Sequence, residues 1–434
     1  MIPTFRFYSL LILGGVLSWA LAIARHQTLA LGSLGVYDLV LILATIWDSY
    51  REKKYRVKIQ RSPLSPLSIG RENPVTLTLQ TSPRATQVLI KDDFPQVFTA
   101  DQIQLQTPLT QPEITLTYHV QPSHRGDYTW GNLHLRQLGL WGLAWYSWSV
   151  PATQSVAVYP DLLALRSLTI QLTLESSGTL RQARRLGLGT EFAELRDYQP
   201  GDDIRYLDWK ASARRHRPLM RVLEPDREQT VMILLDRGRL MKAQVQGLQR
   251  FDWGLNTALS LALTALHRGD RVGVGVFDRD ILTWIPPDRG QSHLAHLIER
   301  LTPIQPVLLE PDYVGAVTQL TQQQTRRALV VLLTDLVDQT ASAELLGAMA
   351  RLTPRYLPFC VALRDPKVDE MAQTPSQGVH QAYRQAVALD LMNQRQTAFA
   401  QLKQKGVLVL DAPAPQVSHQ LVERYLQLKA KNLL

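Results

Sequence analysis

The sequence predicts an α/β protein: a doubly wound, mainly parallel sheet, preceded by a membrane helical hairpin and a small antiparallel β-sandwich. Three observations carry that prediction. From Thr230 onward, apolar runs of strand length alternate with segments of helical periodicity. Between Tyr55 and Pro160, short alternating segments succeed one another with no helix between them. Ahead of both lie two apolar stretches of about membrane-crossing length.

The apolar stretches are Phe7–Ala24 and Leu29–Trp47, the second interrupted by Asp38. The short link "RHQT" between them predicts a helical hairpin over residues 1–50. "DSYREKKYRVK" comes next, with five cations, and positive residues favour the cytoplasmic side of a membrane. The bulk of the chain is therefore expected in the cytoplasm, held at the inner membrane. A carboxylate at mid-bilayer costs on the order of 3 kcal/mol, so Asp38 pulls the second segment toward the interface. With no second intramembrane charge, it reads as a tolerated interior polar residue. Arg6, the apolar core and "ALA" at 20–22 also resemble a signal peptide, against which the second apolar stretch and the cation cluster argue.

In the middle module, residues 55–160, "YRVKIQRSP", "PVTLTLQTSP", "QVLIKDDFP", "EITLTYHVQP", "DYTWGNLHLRQ" and "QSVAVYP" each read as a strand closed by turn residues. "LGLWGLAWYSWSV", 138–150, is more aromatic than a half-exposed strand needs. It is either core or a surface seated against the membrane or a partner. In the C-terminal region, residues 230–434, "TVMILLD" and "RALVVLLTD" suit strands covered on both faces. "RVGVGVFD" and "DILTWIPP" form a strand pair about a short turn, and "FDWGLNTALSLALTALHRGD" is a helix stopped by Gly269. Ligand sites in such sheets gather beyond the carboxyl ends of the strands, where Asp236 and Asp335 stand.

Composition narrows the function classes. Across 434 residues the net charge is +9, but cations and acids are interspersed, which argues against nucleic-acid binding. The single cysteine, Cys360 in "RYLPFCVAL", excludes an internal disulfide framework and reads as a buried apolar filler.

An aspartate ending the first strand, then a helix, a strand pair and a later "TD" strand end resemble a von Willebrand factor A domain. Just upstream lies "GTEFAELRDYQPGDDIRYLDWKASAR" within the linker segment 161–229. With its Gly189, Glu191, Phe192, Arg196, Tyr198, Gly201, Asp202, Arg205, Asp208, Trp209 and Ala211, the whole chain resembles the bacterial family "domain of unknown function 58". The resemblance implies a partner, since genes of this kind often accompany MoxR-type AAA+ ATPases, which resemble remodelling or cofactor-loading chaperones. It also raises a magnesium site. Von Willebrand factor A domains hold the ion through Asp-x-Ser-x-Ser plus a second aspartate, and Asp236 and Asp335, preceded by Thr334, fit the acidic positions. Gly238 and Leu240 replace the two hydroxyl residues, and Arg237 and Arg239 add positive charge. The expectation is a degenerate site with weak magnesium binding at most and no other cofactor. The aspartates would instead cap loops or pair with arginines.

The signature segment admits three readings. Its acids, Glu191, Glu194, Asp197, Asp202 and Asp208, are numerous enough for a hydrolase pair, but arginines among them would hold carboxylates ionised. It has no phosphate-loop pattern. Pro200-Gly201 marks a turn, with Asp202 and Asp203 placed to cap the segment "IRYLDWKASARR". The signature is either a clamp between modules or a docking surface, since Trp, Tyr and Arg dominate binding hot spots. The candidate contact residues are Glu191, Arg196, Tyr198, Asp202, Arg205, Tyr206, Asp208 and Trp209. The function expected is a membrane-anchored, non-enzymatic adaptor that binds proteins. The alternatives are a metal-dependent adhesion module and a membrane-associated hydrolase.

Overall fold

The computed structural model describes residues 2–23, 27–81, 86–161, 164–165, 167, 191–224, 229–336, 343–375, 378–431 and 433–434. They form two compact units, residues 1–159 and 160–434.

In the first unit, helices Phe5–Ile23 and Gln27–Glu52 pack as a hairpin. The Tyr37 hydroxyl donates to the Leu10 carbonyl at 2.9 Å, and Gly14 lies so close to the Tyr37 ring that a Cβ there would collide. Among the described residues, one helical span, Leu31–Tyr55, is long and apolar enough to cross a membrane by length and composition, and Phe5–Ala20 is apolar but shorter. Asp38 is half-buried on the longer one.

The strand-rich part of this unit is built mainly from two sheets. One orders Ile2–Pro3, Ala144–Val150, Leu133–Leu138, Gln87–Asp92 and Leu105–Pro108; the other orders Lys58–Arg61, Asn73–Gln80, Glu113–Pro122 and Phe98–Ala100. All pairings in both are antiparallel. Along Asn73–Gln80 burial alternates strictly: Val75, Leu77 and Leu79 are buried while their neighbours are not. A buried polar clasp spans the layers, with Arg61 paired to Asp92 and the Tyr118 hydroxyl donating to Asp92 at 2.6 Å. A third, three-stranded sheet holds Gln154–Tyr159 between Leu67–Ser68 and Gly126–Trp130. Five of the six sequence segments expected as strands each hold one strand, whereas "DYTWGNLHLRQ" divides into Gly126–Trp130 and Leu133–Leu138, which lie in different sheets; the short Phe98–Ala100 and Leu105–Pro108 join them.

The second unit centres on six strands: β1 Thr230–Asp236, β2 Arg271–Phe277, β3 Ile281–Asp288, β4 Leu329–Thr334, β5 Leu357–Arg364 and β6 Leu408–Pro413. Their order is 3-2-1-4-5-6, and β3 alone runs antiparallel to its neighbour. The helices that follow β1 in the chain are, among the described residues, α1 Arg250–His267, α2 Gln291–Leu301, α3 Tyr313–Gln323, α4 Ala343–Arg351, α5 Pro366–Gln373, α6 Val379–Gln404 and α7 Val417–Ala430.

Successive β1 residues divide between two cores. Val231, Ile233 and Leu235 meet α1, α2 and α7 on one face. Met232 and Leu234 meet α3, α4 and α6 on the other. Each such side chain contributes roughly 1.5–3 kcal/mol by leaving water, and that double cover is why "TVMILLD" shows no alternation. Cys360 on β5 is fully buried in the second core, and burial pushes its thiol up to about 12.

Candidate functional site

β1 and β4 are adjacent parallel strands, so their carboxyl ends bring Asp236 and Asp335 to the centre of one sheet edge. Asp236 is fully buried. Its Oδ1 accepts the Gly238 amide at 2.6 Å, and its Oδ2 accepts the hydroxyls of Thr334 at 2.7 Å and Tyr313 at 3.1 Å. Burial pushes its carboxyl up to about 6 against the pull of those three donors, and the neighbouring charge of Asp335 adds to the rise.

Asp335 is held differently. Arg250, at the start of α1, reaches its Oδ2 at 2.9 Å, and Arg395 of α6 reaches its Oδ1 at 2.7 Å. Arg395 also bridges to Asp411 at 3.0 Å, and Arg364 joins Asp411 at 3.2 Å and Asp369 at 3.1 Å. A line of alternating charge therefore runs across the ends of β4, β5 and β6. The attraction of flanking carboxylates outweighs desolvation and holds the Arg395 guanidinium above its usual range.

Such a set does not fit a dication. Two fixed guanidiniums occupy the oxygens of Asp335, and those of Asp236 already accept three donors. A Cβ at Gly238 would crowd the Leu309 carbonyl and the Pro311 ring, so a serine does not fit there as the loop stands. Arg237 and Arg239 face away to Asp278 at 2.6 Å and Glu310 at 2.7 Å.

The signature segment forms a hairpin, Glu191–Asp197 against Leu219–Glu224, with a turn, a short 3-10 stretch and a helix Trp209–Arg215 between its strands. Gly201 takes a left-handed φ of 107° in the turn. Asp202 accepts the Gln199 amide at 2.9 Å and pairs with Arg196 at 2.6 Å, so it closes the turn rather than capping a helix. Asp203 caps the 3-10 stretch and pairs with Arg205 at 2.6 Å. Asp208 caps the helix through the Ala211 amide at 2.9 Å and pairs with Arg221 at 2.8 Å. Arg217 meets Asp197 at 3.0 Å.

Hydrogen bonds from Arg196 and Arg205 hold Asp202 and Asp203 below the usual carboxylate range, and the Ala211 amide, then Arg221, does the same for Asp208. Outward from this frame stand Trp209 (70% exposed), Ile204 and Tyr206, while Tyr198 is half-buried. Gly189 and the rest of 168–190 lie outside the described residues, as does the side chain of Glu191.

Sequence reasoning placed Asp236 and Asp335 together but missed Arg250, Arg395, Tyr313 and Asp411, which arrive from distant helices and strands. One signal was available. Arg395 shares its stripe of α6 with the buried Ala388, Ala398, Phe399 and Leu402, and a cation on a buried face needs a carboxylate partner.

Known proteins share parts of this chain. An uncharacterised protein of Mycobacterium tuberculosis is 26% identical over 214 residues, covering 48% of this chain and 66% of its own, so the chain spans less than two thirds of that relative. The uncharacterised protein YeaD of Bacillus subtilis is 22% identical over 45% of this chain and 46% of its own. Among solved structures, an aerotolerance-related membrane protein from Bacteroides fragilis aligns over 47% of this chain and 99% of its own, with 17% identity and a TM-score of 0.32. BatB from Bacteroides thetaiotaomicron aligns over the same shares, with 16% identity and a TM-score of 0.33. Residues 194–401 match the family described as "Protein of unknown function DUF58".

Proposed function

We propose that this chain is a membrane-anchored adaptor that makes and breaks no covalent bonds. In this reading its sheet domain is of von Willebrand factor A type, faces the cytoplasm from the inner membrane, and presents the signature hairpin to a protein partner. The partner expected from the family resemblance is a MoxR-type AAA+ ATPase, which would supply the nucleotide chemistry. The membrane hairpin would restrict that ATPase to the bilayer surface, where tethering raises effective concentration.

The observation that carries the reading is the hairpin's division of labour. Its acids close ion pairs within the segment, while Ile204, Tyr206 and Trp209 project without cover among the described residues. Large exposed aromatics on a frame braced by arginines have the make-up of a binding hot spot. Carboxylates held ionised in this way lack the raised affinity for protons that a general acid needs, which disfavours a hydrolase. The guanidinium clamp on Asp335 disfavours the metal-dependent adhesion reading and any resident dication.

The test is capture of a purified MoxR-type ATPase from the same organism by the detergent-solubilised full chain. Trp209→Ala and Arg205→Glu should each reduce recovery at least tenfold relative to wild type. Equal recovery by all three would remove the hairpin as the docking surface.

A further inference from the structure

The first unit carries a feature that the adaptor reading does not use. The turn Gly139–Gly142, between strands Leu133–Leu138 and Ala144–Val150, is clamped onto the end of the membrane-length helix. The Asp48 carboxylate accepts the amides of Trp141 at 3.0 Å and Leu143 at 3.1 Å, and a Cβ at Gly139 would collide with it. The Thr4 hydroxyl donates to the Gly142 carbonyl at 2.6 Å, and Ile2–Pro3 pairs with Trp145 and Ala144. The longer helix, through Asp48, and residues 2–4 just ahead of the first helix thus hold this turn at one fixed level.

At that level the surface is apolar and aromatic. The Trp141 ring lies 4.7 Å from that of Trp47, and the Arg51 guanidinium sits 5.1 Å above Trp47. Leu140 and Trp141 remain about half exposed (42% and 49%), and Tyr50 more so. Between turn and helix runs an open groove of about 550 Å³, lined by Val40, Leu43, Ile46, Trp47, Tyr50 and Trp141. From Val40 to Tyr50 a helix rises roughly 15 Å, about half the thickness of a hydrocarbon core. Tryptophan and tyrosine beneath a cation are the residues that settle at the headgroup boundary.

We infer that the Gly139–Gly142 turn is a further membrane contact, seated in the headgroup region of the same bilayer that takes the helices, with Leu140 and Trp141 against lipid. Its occupant is phospholipid: acyl chain along the groove, headgroup phosphate beside Arg51. The groove continues the exposed apolar face of the helix without a break, and this continuity selects lipid over a soluble partner. The turn then fixes the tilt of the strand-rich module against the membrane.

This inference rests on the membrane reading, and its test separates the two. Leu140→Cys, Val36→Cys and Thr115→Cys in the full chain are labelled with a small fluorophore; buried Cys360 stays unreactive. The proteins are placed in phosphatidylethanolamine–phosphatidylglycerol vesicles carrying lipids with a nitroxide near the headgroup or deep in the chain. The expected result is at least threefold stronger quenching at Leu140 than at Thr115 by the shallow nitroxide, with Val36 quenched by the deep one. Val36 quenched while Leu140 matches Thr115 would overturn the inference and leave the anchor standing. Neither position quenched would overturn both.

Discussion

The sheet edge and the signature hairpin are made from the same residue types and use them to opposite ends. At the edge of the sheet, Asp335, Arg250 and Arg395 are buried, and each charge is compensated because water cannot reach it. On the hairpin, Arg196–Asp202, Arg205–Asp203, Arg217–Asp197 and Arg221–Asp208 lie in contact with solvent, where water screens such pairs and leaves each little net worth. The buried cluster is rigid and inaccessible, so it shapes the fold. The exposed pairs hold a conformation at little energy and leave the aromatic side chains free to meet a partner. Burial, and not residue identity, separates the part that is structure from the part that is surface.

The sharpest way to break this contrast is Asp335→Ala. It leaves the buried Arg250 without a carboxylate and Arg395 with Asp411 alone, and should destabilise the second unit by about 3–5 kcal/mol, read as a shift in the urea midpoint of the solubilised chain. A loss under about 1 kcal/mol would put the buried cluster on a par with the exposed pairs.

A smaller effect tests Asp236 through pH. Its folded-state value of about 6 lies above its ordinary 3.8, so the folded chain binds this proton more tightly than the unfolded one. Ionisation therefore costs stability: nothing is lost below pH 3.8, and the full loss, about 3 kcal/mol, is reached above pH 6. Asp236→Asn removes that titration. The advantage of wild type over the variant should shrink by about 3 kcal/mol between about pH 4 and pH 8 in parallel unfolding curves. A gap independent of pH would mean that the three donors compensate the carboxylate fully.

The smallest effect belongs to the hairpin. Asp208→Ala deletes a helix cap and should fray the helix locally, seen as faster amide exchange over 209–215 and little change in the global midpoint. Asp208→Asn keeps the cap and should restore protection. A global loss as large as that of Asp335→Ala would erase the distinction between the two regions.

The range of each interaction decides how much of this was readable in the sequence. The six strands and most helices of the second unit announce themselves, because two-faced burial writes unbroken apolar runs such as "TVMILLD" and "RALVVLLTD". Helix α5 is hidden although Asp365 caps it and Pro366 opens it, a start signal overshadowed by its mostly polar sequence. Asp236 and Asp335 were visible because strand ends in parallel sheets are privileged positions. Their partners were not: helical periodicity reveals a buried face and says nothing of which distant acid a cation on that face will meet. In the hairpin the charge pairs close locally, and Asp203 caps the 3-10 stretch at the head of "IRYLDWKASARR" as expected, while Asp202 closes the turn instead. Asp208, six residues beyond Asp202, is the one that starts the helix.

The reach of the Asp335 clamp has a consequence for biosynthesis. Arg395 lies 60 residues downstream of Asp335. At about 5–20 residues per second, a ribosome needs roughly 3–12 s to deliver that guanidinium after the aspartate has been made. Throughout that interval the centre of the sheet carries a carboxylate still waiting for one of its two cations. The nascent domain must keep that edge hydrated, or shielded by a chaperone, until α6 emerges and docks.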